Sequence, residues 1–323
     1  MMKRYSILWF TVLLCWLSGG CKDFLNEYSQ SLSYIETAAD LQELLLGSGY
    51  QDPAVTVRPG GEYVAQAWNN TQMKDFMTYI HLMDDDATEY LLCEKSIVNT
   101  EKNYIRMKAV NLHHWQPDPF YDSENAEIND GNWQNMWKRI AAMNSVIYQV
   151  NEMRGREDDK VLCNKVEGEA RFLRGAYYYL LANLYANHYV EATAKTDLGV
   201  PLNLTEAIED KYFVRNSIAE TYDVIVNDLK IAADKLKDVT QENFYRVDEA
   251  GARVLLSRVY LYMGEWQLAL DECEKIAQMQ MSKRELRDMN GWNMFVNNIR
   301  HGWLDTYNTG SPASPEILFT QGT

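Results

Sequence analysis

The sequence predicts a chain dominated by α-helices, arranged as an irregular array of helical hairpins with long loop insertions and little β-structure. Apolar residues recur at three- and four-residue steps along several long segments, which is the spacing of helices that each bury one face. Residues 248–278 add the spacing of a helical hairpin that stacks on its neighbours. Segments 51–75 and 111–131 are polar and rich in turn-forming residues, so we expect them to be the insertions.

The N-terminus has the features of a lipoprotein signal. A basic start precedes an apolar run at 5–17, which is shorter than the roughly 20 residues that a membrane-spanning helix needs. Leu-Ser-Gly-Gly-Cys follows and resembles a lipobox, which predicts a signal peptide at 1–20, a lipid anchor at Cys21 and a tether at 21–35. The alternative is ordinary signal cleavage, with Cys21 as a bystander.

Charge and composition narrow the class of function. The 323 residues carry 31 basic and 46 acidic side chains, for a formal net charge of −15. Nucleic-acid binding and flat binding to anionic lipid both need a basic surface, so neither is expected. An apolar content of 46% is that of a globular protein. Membrane contact is therefore expected through the lipid anchor alone.

The cysteines predict neither a disulfide framework nor a metal site. Cys93, Cys163 and Cys273 remain after the signal and the anchor, so at most one bridge can form, and free buried thiols are the expected state. The sequence has no Cys-x-x-Cys pair and no His-x-x-x-His spacing, so we expect no metal and no cofactor.

The first predicted helix lies within 37–50. Thr37 and Asp40 have the three-residue spacing of a capping box, which predicts where the helix begins. Its apolar stripe is Leu41, Leu44 and Leu45, and we expect Gly47 and Gly49 to end the helix.

Two longer helices are predicted over 132–153 and 163–187. The stripe of the first is Trp133, Trp137, Ile140, Asn144, Ile147 and Tyr148. The stripe of the second is Val166, Ala170, Leu173, Tyr177, Leu180 and Leu184. Because Trp133 and Trp137 share the helical spacing, we expect both to be core residues.

A fourth helix is predicted over 216–236, after a break at the Gly-Val-Pro of 199–201. Ser217 and Glu220 predict a second capping box at its start. Its apolar stripe keeps the helical period over five turns and consists of Ile218, Tyr222, Ile225, Leu229, Ala232 and Leu236.

Residues 248–278 predict a helix, a tight turn and a second helix. The spacing Tyr-x3-Gly-x-Trp-x2-Ala is typical of a tetratricopeptide hairpin, in which glycine reverses the chain and alanine lets the helices approach. Tyr260 and Trp266 are expected to wedge between the two helices. One hairpin cannot bury its own apolar face, so such hairpins stack. The residues that define the repeat are Leu256, Tyr260, Gly264, Trp266 and Ala269.

These features, in this order, resemble the SusD/RagB family of outer-membrane lipoproteins of Bacteroidetes. The resemblance rests on the lipobox Cys21 and on segments that together cover nearly all of 21–323. They are LQELLLGSGY (41–50), GEARFLRGAYYYLLANLYA (168–186), GVPL (199–202), RNSIAETYDVIVNDLKIAADKL (215–236), ARVLLSRVYLYMGEWQLALDECEKI (252–276) and PEILFT (315–320).

The resemblance implies a binding protein on the outside of the outer membrane, and not an enzyme. Such proteins capture oligosaccharides, or sometimes peptides, and pass them to a SusC-like TonB-dependent transporter. The implied fold is four tetratricopeptide-like hairpins that carry a less regular ligand-binding region. We therefore expect a helical domain at 36–310 and the start of a C-terminal region at 311–323. Family members usually continue further, so the chain is expected to be a fragment or a reduced member.

Two clusters have the composition of a glycan site, in which a sugar ring stacks on an aromatic face and amides bond its hydroxyl groups. The first is Trp68, Asn69 and Asn70. The second is Trp292, Asn293, Asn297, Asn298, Trp303 and Tyr307. The alternative for each cluster is an aromatic that only packs.

No catalytic motif accompanies these clusters, and no catalytic residue is predicted. The sequence contains no Gly-x-Ser-x-Gly, P-loop or Gly-x-Gly-x-x-Gly element, and no spacing singles out a glycosidase pair among its carboxylates. We interpret Asp84-Asp85-Asp86 as a solvated acidic turn rather than a calcium loop, and His113-His114 as loop residues. Besides glycan uptake, two alternatives stay open: an envelope scaffold lipoprotein, and a truncated fragment that binds no ligand.

Overall fold

The structure is a computed structural model that describes twelve stretches of the chain. They are residues 35–50, 55–57, 63–65, 83, 111–117, 119–121, 126–127, 130–155, 159–207, 212–237, 239–241 and 245–279. The chain divides into Met1–Glu36 and Thr37–Thr323, and every element named below lies in the second unit. The predicted signal peptide, the acidic turn at 84–86, Cys93 and the strand at 315–320 lie outside the described residues.

The described elements are mostly helices, which confirms the predicted fold class. The helices are α1 (Ala38–Leu44), which continues into a π-helical turn (Leu45–Gly49), α2 (Gly131–Met153), α3 (Lys160–Tyr185), α4 (Ile218–Lys235), α5 (Glu249–Met263) and α6 (Trp266–Gln278). The strands are β1 (Val55–Val57), β2 (Tyr63–Ala65), β3 (Leu198–Pro201) and β4 (Arg215–Ser217).

The strands form two short antiparallel pairs. β1 pairs with β2, with Val55 opposite Ala65. β3 pairs with β4, with Leu198 opposite Ser217, and the register shifts before Pro201 reaches its partner. The break around 199–201 was predicted, but this second pair, which leads directly into α4, was not.

Capping boxes start α1 and α4 at the predicted residues. The Thr37 hydroxyl accepts from the Asp40 N–H at 3.2 Å, and the Asp40 carboxylate accepts from the Thr37 N–H at 2.9 Å. The corresponding distances for Ser217 and Glu220 are 3.2 and 2.8 Å. Each box satisfies two backbone N–H groups that have no partner within the helix.

Consecutive helices pack on one another from α2 to α6, as expected for an array of hairpins. α3 is central, because both α2 and α4 pack on it. At Gly168 of α3 a Cβ atom would lie 2.7 Å from Leu236 Cγ, so the missing side chain allows the end of α4 to approach closely. All six residues of the predicted α4 stripe are buried.

The buried face of α2 differs from the predicted stripe. Its core positions are Asn132, Met136, Ile140, Met143, Asn144, Val146, Ile147, Val150 and Met153. Trp133 and Trp137 are only half-buried, and Tyr148 is 47% exposed. The prediction that the two tryptophans are core residues is therefore wrong: the methionines fill the interface, and the tryptophans lie at its edge.

The α5–α6 hairpin has the predicted turn but not the predicted wedge. Gly264 ends α5 with φ +79°, a left-handed conformation that glycine adopts without steric cost. Leu256, Tyr260 and Ala269 are buried. Trp266 is 69% exposed, so the prediction that it wedges between the two helices is wrong. It is the first residue of α6 and projects outward beside the turn.

Two cysteines fall within the described residues, and both are free thiols. Cys163 is buried, as expected, whereas Cys273 is exposed on α6, contrary to the expectation of a buried thiol. None of the helices in the described part of the chain is long and apolar enough to cross a membrane.

Candidate functional site

The predicted ligand-binding residues and the lipid anchor lie outside the part of the chain that the structure describes. They are Cys21, Trp68, Asn69, Asn70, Trp292, Asn293, Asn297, Asn298, Trp303 and Tyr307, and their roles stay predictions. The described residues contain two other aromatic surfaces that could meet a sugar, one on α2 and α3 and one on the loop at 111–121.

The first surface is a row of four aromatic rings on α2 and α3. The ring centroids of Tyr185 and Trp133 are 4.8 Å apart, those of Trp133 and Trp137 are 5.5 Å apart, and those of Trp137 and Tyr178 are 5.9 Å apart. All three contacts are edge-to-face, an arrangement that aromatic pairs prefer. Tyr178 is buried, while the other three rings are half-buried and reach the surface.

Polar groups adjoin the row at the Tyr185 end. Asp130 caps α2, because its carboxylate accepts from the Asn132 N–H at 3.1 Å, and it also accepts from the Tyr185 hydroxyl. Arg215 of β4 donates to the carbonyl of Tyr185 at 3.0 Å and to that of Gly199 at 2.6 Å. The β3–β4 pair is thereby tied to the end of α3, beside the aromatic row.

At the other end, a buried network holds the segment after β3 against the row. The Tyr178 hydroxyl donates to the Asn203 carbonyl at 2.8 Å and accepts from the Asn203 N–H at 3.0 Å. The Asn144 side chain donates to the carbonyls of Asn203 and Thr205 at 2.9 and 3.1 Å. Arg174 orients that amide by donating to its oxygen at 2.9 Å.

The buried hydroxyls of Tyr178 and Tyr222 stay protonated at neutral pH. Burial raises the pKa of Tyr178 to about 12, against smaller lowering effects of its bond to Asn203 and of Arg174. Burial likewise raises the pKa of Tyr222 to about 12. These groups can donate and accept hydrogen bonds but are poor general bases at neutral pH. Among the described residues, no group of three or more His, Cys, Asp or Glu side chains could hold a metal ion.

The second surface is the turn that presents Trp115. The Asn111 side chain donates to the carbonyls of Pro119 and Tyr121 at 3.3 and 3.1 Å, which closes the loop. The Trp115 N–H donates to the Leu112 carbonyl at 3.0 Å. Trp115 itself has φ 51° and is 69% exposed, so an ordered loop holds a large apolar ring in water.

Left-handed backbone at a non-glycine residue is sterically costly and is frequent at binding sites. His113 and His114 were predicted to be loop residues, and Trp115 was not predicted as a site residue. His113 lies in a short helical turn at 111–113, and His114 follows in the turn. A tryptophan inside a polar, turn-rich segment was the available signal. This signal was weak, because a single loop residue belongs to no periodic pattern from which its burial could be predicted.

Each of the two surfaces is suited to sugars: one has half-exposed rings beside the Asp130 carboxylate, and the other has the exposed Trp115 indole. The apolar face of a pyranose contacts the ring, while hydroxyl groups bond to carboxylates and amides.

A SusD-like family model, described as starch-binding and associating with the outer membrane, matches residues 65–261. No curated protein matches the chain. Among solved structures, a putative sugar binding protein from Bacteroides vulgatus is 25% identical, with a TM-score of 0.50 over 65% of this chain and 43% of that one.

Two further structures share the fold at lower identity. A SusD-like carbohydrate binding protein from Bacteroides vulgatus is 15% identical, with a TM-score of 0.54 over 88% of this chain and 50% of that one. A SusD superfamily protein from Bacteroides fragilis is 19% identical, with a TM-score of 0.54 over 79% and 52% of the two chains. The chain spans about half the length of these proteins.

The match at 65–261 covers more than half of the sequence and includes α2, α3, α4 and most of α5. The family is described as starch-binding, which agrees with the expected class of carbohydrate-binding protein. Taken with the helical array, these findings place the chain in the SusD-like family of starch-binding proteins that associate with the outer membrane.

Proposed function

We propose that this chain captures oligosaccharides at the outer membrane and delivers them to a SusC-like TonB-dependent transporter. The observation that carries the proposal is the Trp115 indole, 69% exposed on a loop that hydrogen bonds hold in place. A preformed aromatic platform binds with little loss of conformational entropy. The half-exposed Trp133 and Trp137 provide a second apolar surface of the same chemical kind.

Starch fragments are the first ligand class to test, because the family is described as starch-binding. A flat indole selects for the apolar face of a glucose ring but does not read the linkage between rings. We propose that the linkage is read by additional contacts, for which the amide-rich clusters at 68–70 and 292–307 are the candidates.

The proposed location is the outer face of the outer membrane, with Cys21 acylated. A single acyl chain gives only marginal membrane binding, whereas two or more hold a protein stably. The tether at 21–35 would then allow the folded domain to sit over a transporter without entering the bilayer.

Trp115→Ala is expected to weaken the binding of a maltooligosaccharide by about tenfold or more, a loss of about 1.4 kcal/mol. Isothermal titration calorimetry on the full chain measures this directly. Tyr212→Ala is the control, because it removes a fully exposed aromatic side chain that belongs to neither candidate surface. Equal losses in the two variants would contradict a specific role for Trp115.

Saturable binding that survives Trp115→Ala and fails with Trp133→Ala would move the site to the aromatic row. No binding of any oligosaccharide by the full chain would favour the scaffold or the non-binding fragment instead. Delivery is tested separately, by purifying the protein from solubilised outer membranes: a co-purifying β-barrel transporter and an acylated Cys21 are expected. Recovery of the acylated chain alone would contradict the delivery step.

A further inference from the structure

α6 presents an apolar stripe that no described element covers. Trp266, Leu270, Cys273 and Ala277 follow one another at steps of four, three and four residues, so they share one face of the helix. Trp266 is 69% exposed and Leu270 is 50% exposed, and Cys273 and Ala277 are exposed as well. Contiguous apolar surface of this kind marks a site where something else packs.

The other faces of α6 are accounted for. Ala269 and Glu272 are buried against α5, and Arg253 of α5 donates to the Glu272 carboxylate at 2.7 Å. Gln267 donates to Asp271 at 2.8 Å on an exposed polar face. α5 is the only described element that packs on α6, whereas α3, α4 and α5 each have described neighbours on two sides. The open stripe is therefore where the next layer of the array would lie.

We propose that residues 280–323 of the same chain cover this stripe. They begin directly after Met279, the C-cap of α6, so the covalent link gives them a high effective concentration at this face. The segment contains the apolar stretches 292–296 (WNMFV) and 317–319 (ILF). Burial of such side chains against the stripe would remove both apolar surfaces from water.

Charge supports the same occupant. Residues 280–291 carry three basic side chains (Lys283, Arg284 and Arg287) and two acidic ones, whereas α6 carries three acidic side chains (Asp271, Glu272 and Glu274) and one basic one. The chain as a whole has a net charge of −15, so a second copy would bring mostly repulsive charge to this acidic helix. The inference is independent of the proposed function, because it concerns the last described layer of the fold and no ligand.

The thiol of Cys273 makes coverage of the stripe measurable. Maleimide alkylation of the full chain is followed by peptide mass spectrometry, with buried Cys163 as an internal reference for a protected thiol. We expect Cys273 to react at least about tenfold more slowly in the native chain than in the chain unfolded by urea, at every protein concentration.

Phe295→Asp and Leu318→Asp place a charge in each apolar stretch of the segment. At least one of them is expected to raise the alkylation rate of Cys273 by about tenfold, whereas Asn308→Asp, a charge in a polar part of the same segment, is expected to leave it unchanged. Circular dichroism checks that the helices of each variant stay folded.

Three results would overturn the proposal. Rapid alkylation of Cys273 in the native chain would mean that the stripe is open. Protection that grows with protein concentration would assign the stripe to a second copy. Protection that neither aspartate substitution reduces would assign it to something other than residues 280–323.

Discussion

At the scale of the residue, Asp228 of α4 forms buried ion pairs with two arginines of α3. Its carboxylate accepts from Arg174 at 2.7 and 2.8 Å and from Arg171 at 2.9 Å, and its side chain is 1% exposed. Pairing mainly offsets the cost of taking these charges out of water, so the cluster adds little net stability compared with apolar packing. What it adds is specificity, because a two-point bond to one guanidinium fixes how α4 lies on α3.

Asp228→Ala is expected to lower the free energy of unfolding by about 3–5 kcal/mol, because it leaves the Arg174 guanidinium buried without its anion. Urea unfolding followed by circular dichroism measures the loss. Asp223→Ala is the matched control: it lies on the same helix, is exposed, and is expected to change stability by about 0.5 kcal/mol or less. Similar effects in both variants would show that the ion pair is not what anchors α4.

At the scale of the element, the start of α4 depends on one local motif. The Glu220 carboxylate accepts from the backbone N–H and the hydroxyl of Ser217, each at 2.8 Å. These bonds to the charged form lower the pKa of Glu220. A carboxyl with a lowered pKa in the folded state stabilises that state above its unfolded pKa, and the contribution is lost as the pH falls through its folded pKa.

Glu220→Gln is therefore expected to be less stable than the wild type at neutral pH, since glutamine can close the box but carries no charge at the helix N-terminus. The difference should be fully present above the unfolded pKa of glutamate, about 4.3, and should be lost as the pH falls through the lower folded pKa. Urea unfolding across this range measures it. In the Ser217→Ala background one of the bonds to the carboxylate is gone, so the difference should shrink. A difference that does not change with pH would contradict the expected role of the charge.

At the scale of the whole molecule, one buried cluster joins three distant parts of the chain. The Tyr50 hydroxyl donates to the Glu169 carboxylate at 2.5 Å and accepts from the Val247 N–H at 3.2 Å. Arg246 donates to the same carboxylate at 2.6 Å. Burial, more than the nearby Glu169 charge, raises the pKa of Tyr50 well above its usual range, so the hydroxyl keeps its proton. The end of the π-helical turn after α1, the middle of α3 and the residues just before α5 are thereby held together.

Tyr50→Phe is expected to lower the free energy of unfolding by about 1–3 kcal/mol, because a buried carboxylate oxygen and a buried N–H each lose a partner. Tyr148→Phe, which removes the same hydroxyl from a side chain that is 47% exposed, is the control and should be nearly neutral. Urea unfolding is monitored by circular dichroism and by tryptophan fluorescence. A loss confined to one probe would show that the cluster does not couple the three parts.

Much of the helical framework was predictable from the sequence, because its signals are local. The capping boxes at Thr37 and Ser217 each involve residues only three positions apart, so a short stretch of sequence is enough to predict where α1 and α4 begin. The α4 stripe repeats over five turns, which is enough to define the buried face of that helix. The tight turn at Gly264 is local in the same sense, since left-handed backbone there favours glycine whatever lies nearby. Family membership followed from the order of such segments along the chain.

The candidate site was not predictable in the same way, because exposure depends on partners far away in sequence. Trp133 and Met136 both fit a helical apolar face, and only the packing of α2 against α3 decides that the methionine is buried and the tryptophan is at the edge. The same reason explains why Trp266 is exposed although it was predicted to pack between helices. The sequence contains the repeat spacing, but no described element covers the outer face of α6.

The sequence by itself determined the helices, where α1 and α4 begin, the reversal at Gly264 and the family. These properties follow from backbone hydrogen bonds and residue periods over a few turns. Only the tertiary structure decided which aromatic rings reach the surface, how Arg174 and Asp228 lock α3 to α4, and that β3 and β4 pair beside Tyr185. Those properties depend on contacts between residues tens of positions apart, and no short stretch of sequence encodes both partners.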